Sequence, residues 1–160
     1  ISGEDFVSEC LVESDLELLF PNEYIPSSSE RMLLYRELDG LELDKDVLDF
    51  KARLEDRFGK VPTEGQELLR IVPLRRLAKR LGAEKVVLKA ERMVLYFVSN
   101  PDSPFYQSIA FGKVIGYMGT HPRYCNLREQ NGRRSMVVKN VETVETAVSI
   151  LQEIVSMESK

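Results

Sequence analysis

Near residue 84 the spacing of apolar side chains changes from steps of three and four to steps of two, and this change does most to limit the fold. Upstream, Val47, Phe50, Leu54 and Phe58 recur at helical spacing and form one stripe. Downstream, Val86 and Leu88, then Met93, Leu95 and Phe97, alternate as strands do when one face meets a core. A chain that carries both periods in separate blocks belongs to the α+β class.

Local signals place the boundaries. Ser27 and Glu30 form an S-x-x-E capping box ahead of Leu33 or Leu34, Leu38 and Leu41, which predicts a first helix. A second helix is expected from Asp44, with acids in its first turn, to Phe58, where Gly59 and then Pro62 end it. Thr63 and Gln66 form another capping box for a third helix carrying Leu69, Val72, Leu77 and Leu81, with Gly82 as its terminator. Pro73 lies inside that helix and removes a backbone hydrogen bond, so a kink or break is expected near residues 69–73.

Residues 5–20 read as one or two strands, and Ala90-Glu91 as the turn of a hairpin. Pro104 suits the first turn of a helix over 103–118. Asn131-Gly132 marks a second hairpin over 124–139, because a type I′ turn needs two residues at positive φ. Val144, Ala147, Val148, Leu151 and Ile154 or Val155 complete an amphipathic C-terminal helix. The predicted fold is a small, mostly antiparallel sheet packed with amphipathic helices. One α+β domain is expected over 25–160, after an N-terminal strand or linker segment over 1–24.

Catalytic signatures are scarce. No phosphate-binding G-x-x-x-x-G-K-[ST] is present, and Gly112, Gly116 and Gly119 do not match G-x-G-x-x-G. A single histidine, His121, excludes H-E-x-x-H, and two cysteines exclude a four-cysteine zinc site. His121 with Cys125 could form a nucleophilic pair, but a surface-loop histidine is the simpler reading. Asp44, Asp46 and Asp49 resemble a calcium loop without its sixth-position glycine and read better as an acidic helix start. Ser27, Ser28 and Ser29 read as capping residues. No catalytic, cofactor or metal residue is assigned. Two cysteines and no long apolar run fit a reducing, cytoplasmic setting without a membrane span. The first residue, Ile1, leads to the expectation of a piece of a longer polypeptide.

Charge is distributed unevenly. The chain has 22 basic and 26 acidic residues, a formal net charge of −4. Between Gly40 and Asp56 six acids face three bases, whereas between Arg70 and Lys85 six bases face one acid. Arg75, Arg76, Lys79 and Arg80 cluster on one side of the third predicted helix at 100° per residue, a candidate nucleic-acid contact face that would touch phosphates. The acidic stretch is a candidate dock for a basic protein surface. Two solvated helix faces would account for both stretches as well.

Four segments, in this order and spacing, closely resemble the C-terminal domain of bacterial transcription-repair coupling factors. They are Tyr24–Ser27, Ser29–Arg36, Leu54–Pro62 and Leu74–Gly82, and the likeness spans about residues 16–98. The pairing of E-R-x-x-x-Y-R with D-R-F-G-x-x-P is its most specific element. The resemblance implies a parent that is an ATP-dependent DNA translocase, displacing stalled RNA polymerase and recruiting nucleotide excision repair. ATP, magnesium and the DNA-tracking motor would lie outside these residues. It further implies a non-catalytic, autoinhibitory domain that packs on an N-terminal module similar to UvrB and covers the surface that binds UvrA. In that family acidic residues near the end of the helix before D-R-F-G contribute to the contact; Asp56 matches such a position, and Glu55, Asp56 and Arg57 are the candidate interface that the resemblance implies. Arg53 stands where an acid is common, and Pro73 interrupts a helix that is usually continuous.

Overall fold

The computed structural model describes residues 6–158. Contacts divide the chain into two units, one formed by residues 17–73 and the other by residues 1–16 together with 74–160.

The first unit is helical. Helix α1 (Ser28–Asp39) starts where expected, with the Ser27 hydroxyl accepting from the Glu30 amide at 3.2 Å. The Glu30 carboxylate does not close the capping box. It pairs with Arg57 on α2 (Asp44–Phe58). Glu37 on α1 meets Arg53 on α2 at 3.1 Å, so the two helices run antiparallel with a cross-helix ion pair near each end. Beneath them the stripe read from the sequence is in place, with Phe50 and Leu54 buried and Val47 and Phe58 half-buried. The core is organised around Phe20, which is 1% exposed and stacks on Tyr35 at 5.4 Å and on Phe50 at 6.5 Å. Ile25, Leu38, Val61, Leu69 and Val72 complete it.

The third predicted helix is two helices. Helix α3 (Thr63–Leu69) ends at Arg70, and α4 (Ile71–Arg80) follows, with Pro73 in its first turn. A proline there costs little, because the amides of a first turn have no intrahelical acceptor. The expected break is thus placed upstream of the proline that requires it. The Thr63 capping box is not formed: Thr63 is already helical and Gln66 donates from its side chain to the Val61 carbonyl at 2.9 Å.

The second unit holds a five-stranded sheet in the order β1-β2-β3-β5-β4. Its strands are β1 (Leu11–Ser14), β2 (Ala83–Lys89), β3 (Arg92–Phe97), β4 (Cys125–Gln130) and β5 (Arg133–Lys139). The sheet is antiparallel except for β1, which runs parallel to β2. Of the strand region expected over 5–20, residue 5 lies outside the described residues, and among residues 6–20 the strand is these four residues of β1. Both hairpins are present. Asn131 and Gly132 have φ of 54° and 77°, and Ala90 and Glu91 have 53° and 60°.

The residues aligned across β2, β3 and β5 on one face (Val86, Leu88, Met93, Leu95, Met136, Val138) are all 2% exposed or less. Helices α5 (Ile109–Thr120) and α6 (Val144–Val155) bury Phe111 and Val114, and Val144, Ala147, Leu151 and Ile154. The helix expected over 103–118 is a short 3-10 helix, Pro104–Gln107, followed by α5. Ser108 begins α5 by accepting from the Phe111 amide. Phe105 forms the hub of a ring cluster with Phe6, Phe97, Tyr106 and Phe111, at centroid distances of 5.1 to 6.0 Å.

Burial in this unit predicts a pH response. Burial pushes the Cys10 thiol from 9.0 to about 11, against the opposing pull of Arg75 and Lys79. Burial, with Glu153 and Cys125 adding, pushes Tyr117 from 10.0 to about 12. Both groups are neutral when protonated, so the fold favours the protonated form. That stabilisation is complete below pH 9 and disappears as the pH rises through the two raised values. The thermal midpoint is expected to be flat from pH 6 to about 8.5 and to fall steadily above about 9.5. A midpoint still flat at pH 11 would contradict this.

Candidate interaction surface

The residues proposed from the resemblance, Glu55, Asp56 and Arg57, lie in the last turn of α2 and are exposed. The end of this helix is held from several sides. The Tyr24 hydroxyl donates to the Gly59 carbonyl at 2.7 Å, and the Tyr24 ring lies 5.7 Å from that of Phe58. Gly59 turns the chain away with φ of 86°. Burial, and then the nearby Glu55 carboxylate, raise the Tyr24 phenol above its ordinary range.

The three consecutive residues serve different ends. Arg57 is engaged within the unit, paired with Glu30 and lying 5.0 Å over the Phe58 ring. Glu55 and Asp56 have no ion-pair partner among the described residues and face solvent. At 100° per residue Asp49, Ala52 and Asp56 share one side of α2, with Leu48 and Glu55 flanking it, and all five are exposed. Leu48 is 67% exposed. Carboxylates in the last turn oppose the helix dipole, so helix stability does not explain them. The result is an exposed leucine, with Lys45 and Lys51 one turn to either side, and beyond it an acidic helix end on a two-helix frame. Such a surface can bind a basic protein face that offers an apolar pocket. Sequence reasoning found the acids and missed Leu48. Its signal was an apolar residue out of phase with the buried stripe.

The second candidate set, Arg75, Arg76, Lys79 and Arg80, lies on α4 in the other unit. All four are half-buried, and Arg75 and Lys79 are close enough to Cys10 to act on its thiol electrostatically. The set does not join Glu55, Asp56 and Arg57 in a single unit.

The His121–Cys125 pair is built for structure. The His121 ring stacks on Tyr117 at 3.9 Å, with Nδ1 2.9 Å from the Thr120 hydroxyl and 3.0 Å from the Tyr117 carbonyl. Burial raises the Cys125 thiol, the opposite of what a nucleophile needs. Asp44 and Asp46 form the acidic first turn of α2, and no cluster of metal-ligating side chains occurs among the described residues. No helix among them is long and apolar enough to cross a membrane.

A family model for the TRCF domain matches residues 14–108, more than half of the chain. The transcription-repair-coupling factor of Rickettsia bellii is 29% identical over 132 residues, which are 82% of this chain and 11% of that protein. Its Escherichia coli counterpart is 33% identical over 86 residues, 53% of this chain and 8% of that protein. The chain thus spans about a tenth of the length of these relatives. Its fold matches a crystal structure of the C-terminal domain of a transcription-repair coupling factor, with a TM-score of 0.69 at 15% identity, covering 91% of this chain and 93% of that one. With more than half of its length matched and the fold shared, the chain belongs to the TRCF domain family, that of the C-terminal domain of transcription-repair coupling factors.

Proposed function

We propose that this chain is a non-catalytic regulatory domain of an ATP-dependent DNA translocase that displaces stalled RNA polymerase and recruits nucleotide excision repair. In this reading the acidic end of α2 docks on an N-terminal UvrB-like module of the same polypeptide and covers the surface that module offers to UvrA. ATP and magnesium belong to the motor, outside these residues, and the assembly works in the cytoplasm. The observation that carries the reading is the exposed pair Glu55 and Asp56, without ion-pair partners among the described residues and fixed at a buttressed helix end.

Magnitudes suit a releasable contact. An exposed ion pair contributes about 0.2–1 kcal/mol. Tethering supplies an effective concentration of order millimolar, so an interface of micromolar affinity is closed about 1000:1. Losing three contacts at the upper figure, about 3 kcal/mol, lowers this ratio by about two orders of magnitude.

The test is UvrA capture by the full-length protein, with and without these residues. Deletion, or Glu55→Lys with Asp56→Lys, is expected to raise UvrA binding at least tenfold. Arg57→Ala is expected to act less, through loosening of α2 against α1. Equal capture by the intact, deleted and substituted proteins would refute the proposal.

A further inference from the structure

Opposite the buried face of the sheet, the register aligns a different set of residues. Lys89 on β2 pairs with Arg92 on β3, and Arg92 pairs with Lys139 on β5. The Lys139 amide donates to the Tyr124 carbonyl at 2.8 Å, which places Tyr124 beside Lys139 at the start of β4. All four are exposed, Tyr124 by 47%. Alternation puts them on the face away from Leu88, Met93 and Val138, which are 2% exposed or less. Three neighbouring strands and the residue that leads into β4 therefore carry, in one lateral row, three cations and an exposed aromatic ring. Three inter-strand spacings make this row about 14 Å long.

Stability does not account for such a row. Like charges directly opposite each other weaken a strand pair, and here two such juxtapositions lie side by side. Lysines that protect an open sheet edge belong on edge strands, whereas β2, β3 and β5 are interior. Among the described residues Glu13 offers the row its carboxylate contact, reaching Lys89 at 3.8 Å while holding Lys85 at 3.1 Å. Arg92 and Lys139 have no ion-pair partner among those residues. A polyanion would relieve the repulsion. An exposed ring in line with the cations favours one with flat, unpaired bases over an acidic polypeptide.

We propose that the row Lys89–Arg92–Lys139–Tyr124 binds single-stranded nucleic acid, its phosphates on the three cations and a base on the Tyr124 ring. The site is separate from the α2 surface and independent of the function proposed above. It also differs from the α4 face that the sequence suggested.

The test measures fluorescence anisotropy of a labelled oligothymidylate with the 160-residue chain across a salt series. Arg92→Glu with Lys139→Glu is expected to weaken binding at least tenfold. It should also reduce the log–log salt slope by about 1.4, at about 0.7 per lost phosphate contact. Tyr124→Ala is expected to weaken binding about fivefold or more, and a duplex, with no unpaired base to stack, to bind less tightly. Matched melting midpoints, together with the milder Arg92→Gln and Lys139→Gln pair, separate a binding loss from a folding loss. Unchanged affinity and slope in the charge variants would overturn the proposal. So would loss of binding on Lys79→Glu with Arg80→Glu instead, which would move the site to α4. Equal displacement by polyglutamate with no effect of Tyr124→Ala would reassign the row to an acidic protein partner.

Discussion

Gly82→Ala is expected to destabilise the protein by about 2–5 kcal/mol and to lower its melting midpoint by about 10 °C. Two independent costs meet at this residue. Its φ of 78° lies where an L side chain is strained by about 1–2 kcal/mol. An added Cβ would also lie 2.1 Å from Cε1 of Phe105 and 2.3 Å from its Cζ. Phe105 is fully buried at the hub of the ring cluster, so its displacement disturbs Phe97 and Phe111 as well. Overpacking of this kind costs about 1–3 kcal/mol more. Gly132 provides the control, since it has nearly the same φ, 77°, and a methyl added there would meet nothing within 4 Å. Gly132→Ala should show the backbone cost alone. Urea denaturation of the two variants checks the argument, and equal losses would mean that Phe105 yields without cost.

Phe20→Ala is expected to cost about 3–5 kcal/mol. The ring is 1% exposed and contacts Tyr35, Phe50 and Tyr24 on three sides. The Tyr35 hydroxyl also accepts from the Phe20 amide at 3.0 Å, so ring and backbone are fixed together. Gly65 approaches from α3, where a Cβ would meet Phe20 at 3.1 Å and Val61 at 2.7 Å. Without a side chain at 65 the cavity has few atoms with which to refill, which places the cost in the upper part of the range. Phe20→Leu should recover much of the loss. A urea midpoint for Phe20→Ala within experimental error of the parent would show that the segment before α1 is not part of the core.

Much of this fold can be read locally. The α2 stripe, the Ser27 cap, the Asn131-Gly132 turn and the positive φ of Gly59 and Gly82 each follow from residues a few positions apart. The features that escape such reading depend on distant partners. Glu30 has a local role in a capping box, yet its carboxylate pairs with Arg57, on another helix. The strands on either side place Ala90 and Glu91 in a turn, but nothing local shows that the Asp15 carboxylate, 75 positions away, accepts from the Ala90 amide at 3.0 Å. The row from Lys89 to Tyr124 is invisible in sequence because its members share only a register. The acids of the α2 surface were legible as charge. Their companion Leu48 became meaningful only once exposure separated it from the core.

The first strand has a consequence for how the molecule comes into being. Leu11 lies beside Lys85, 74 positions further along, whereas β2 with β3 and β4 with β5 are joined by tight turns. Neighbours in sequence meet quickly, and remote ones wait for the loop between them to close. Of the five strands described, the first in chain order is therefore expected to be the last to find its place. Until it does, the nascent sheet carries an open flank along β2.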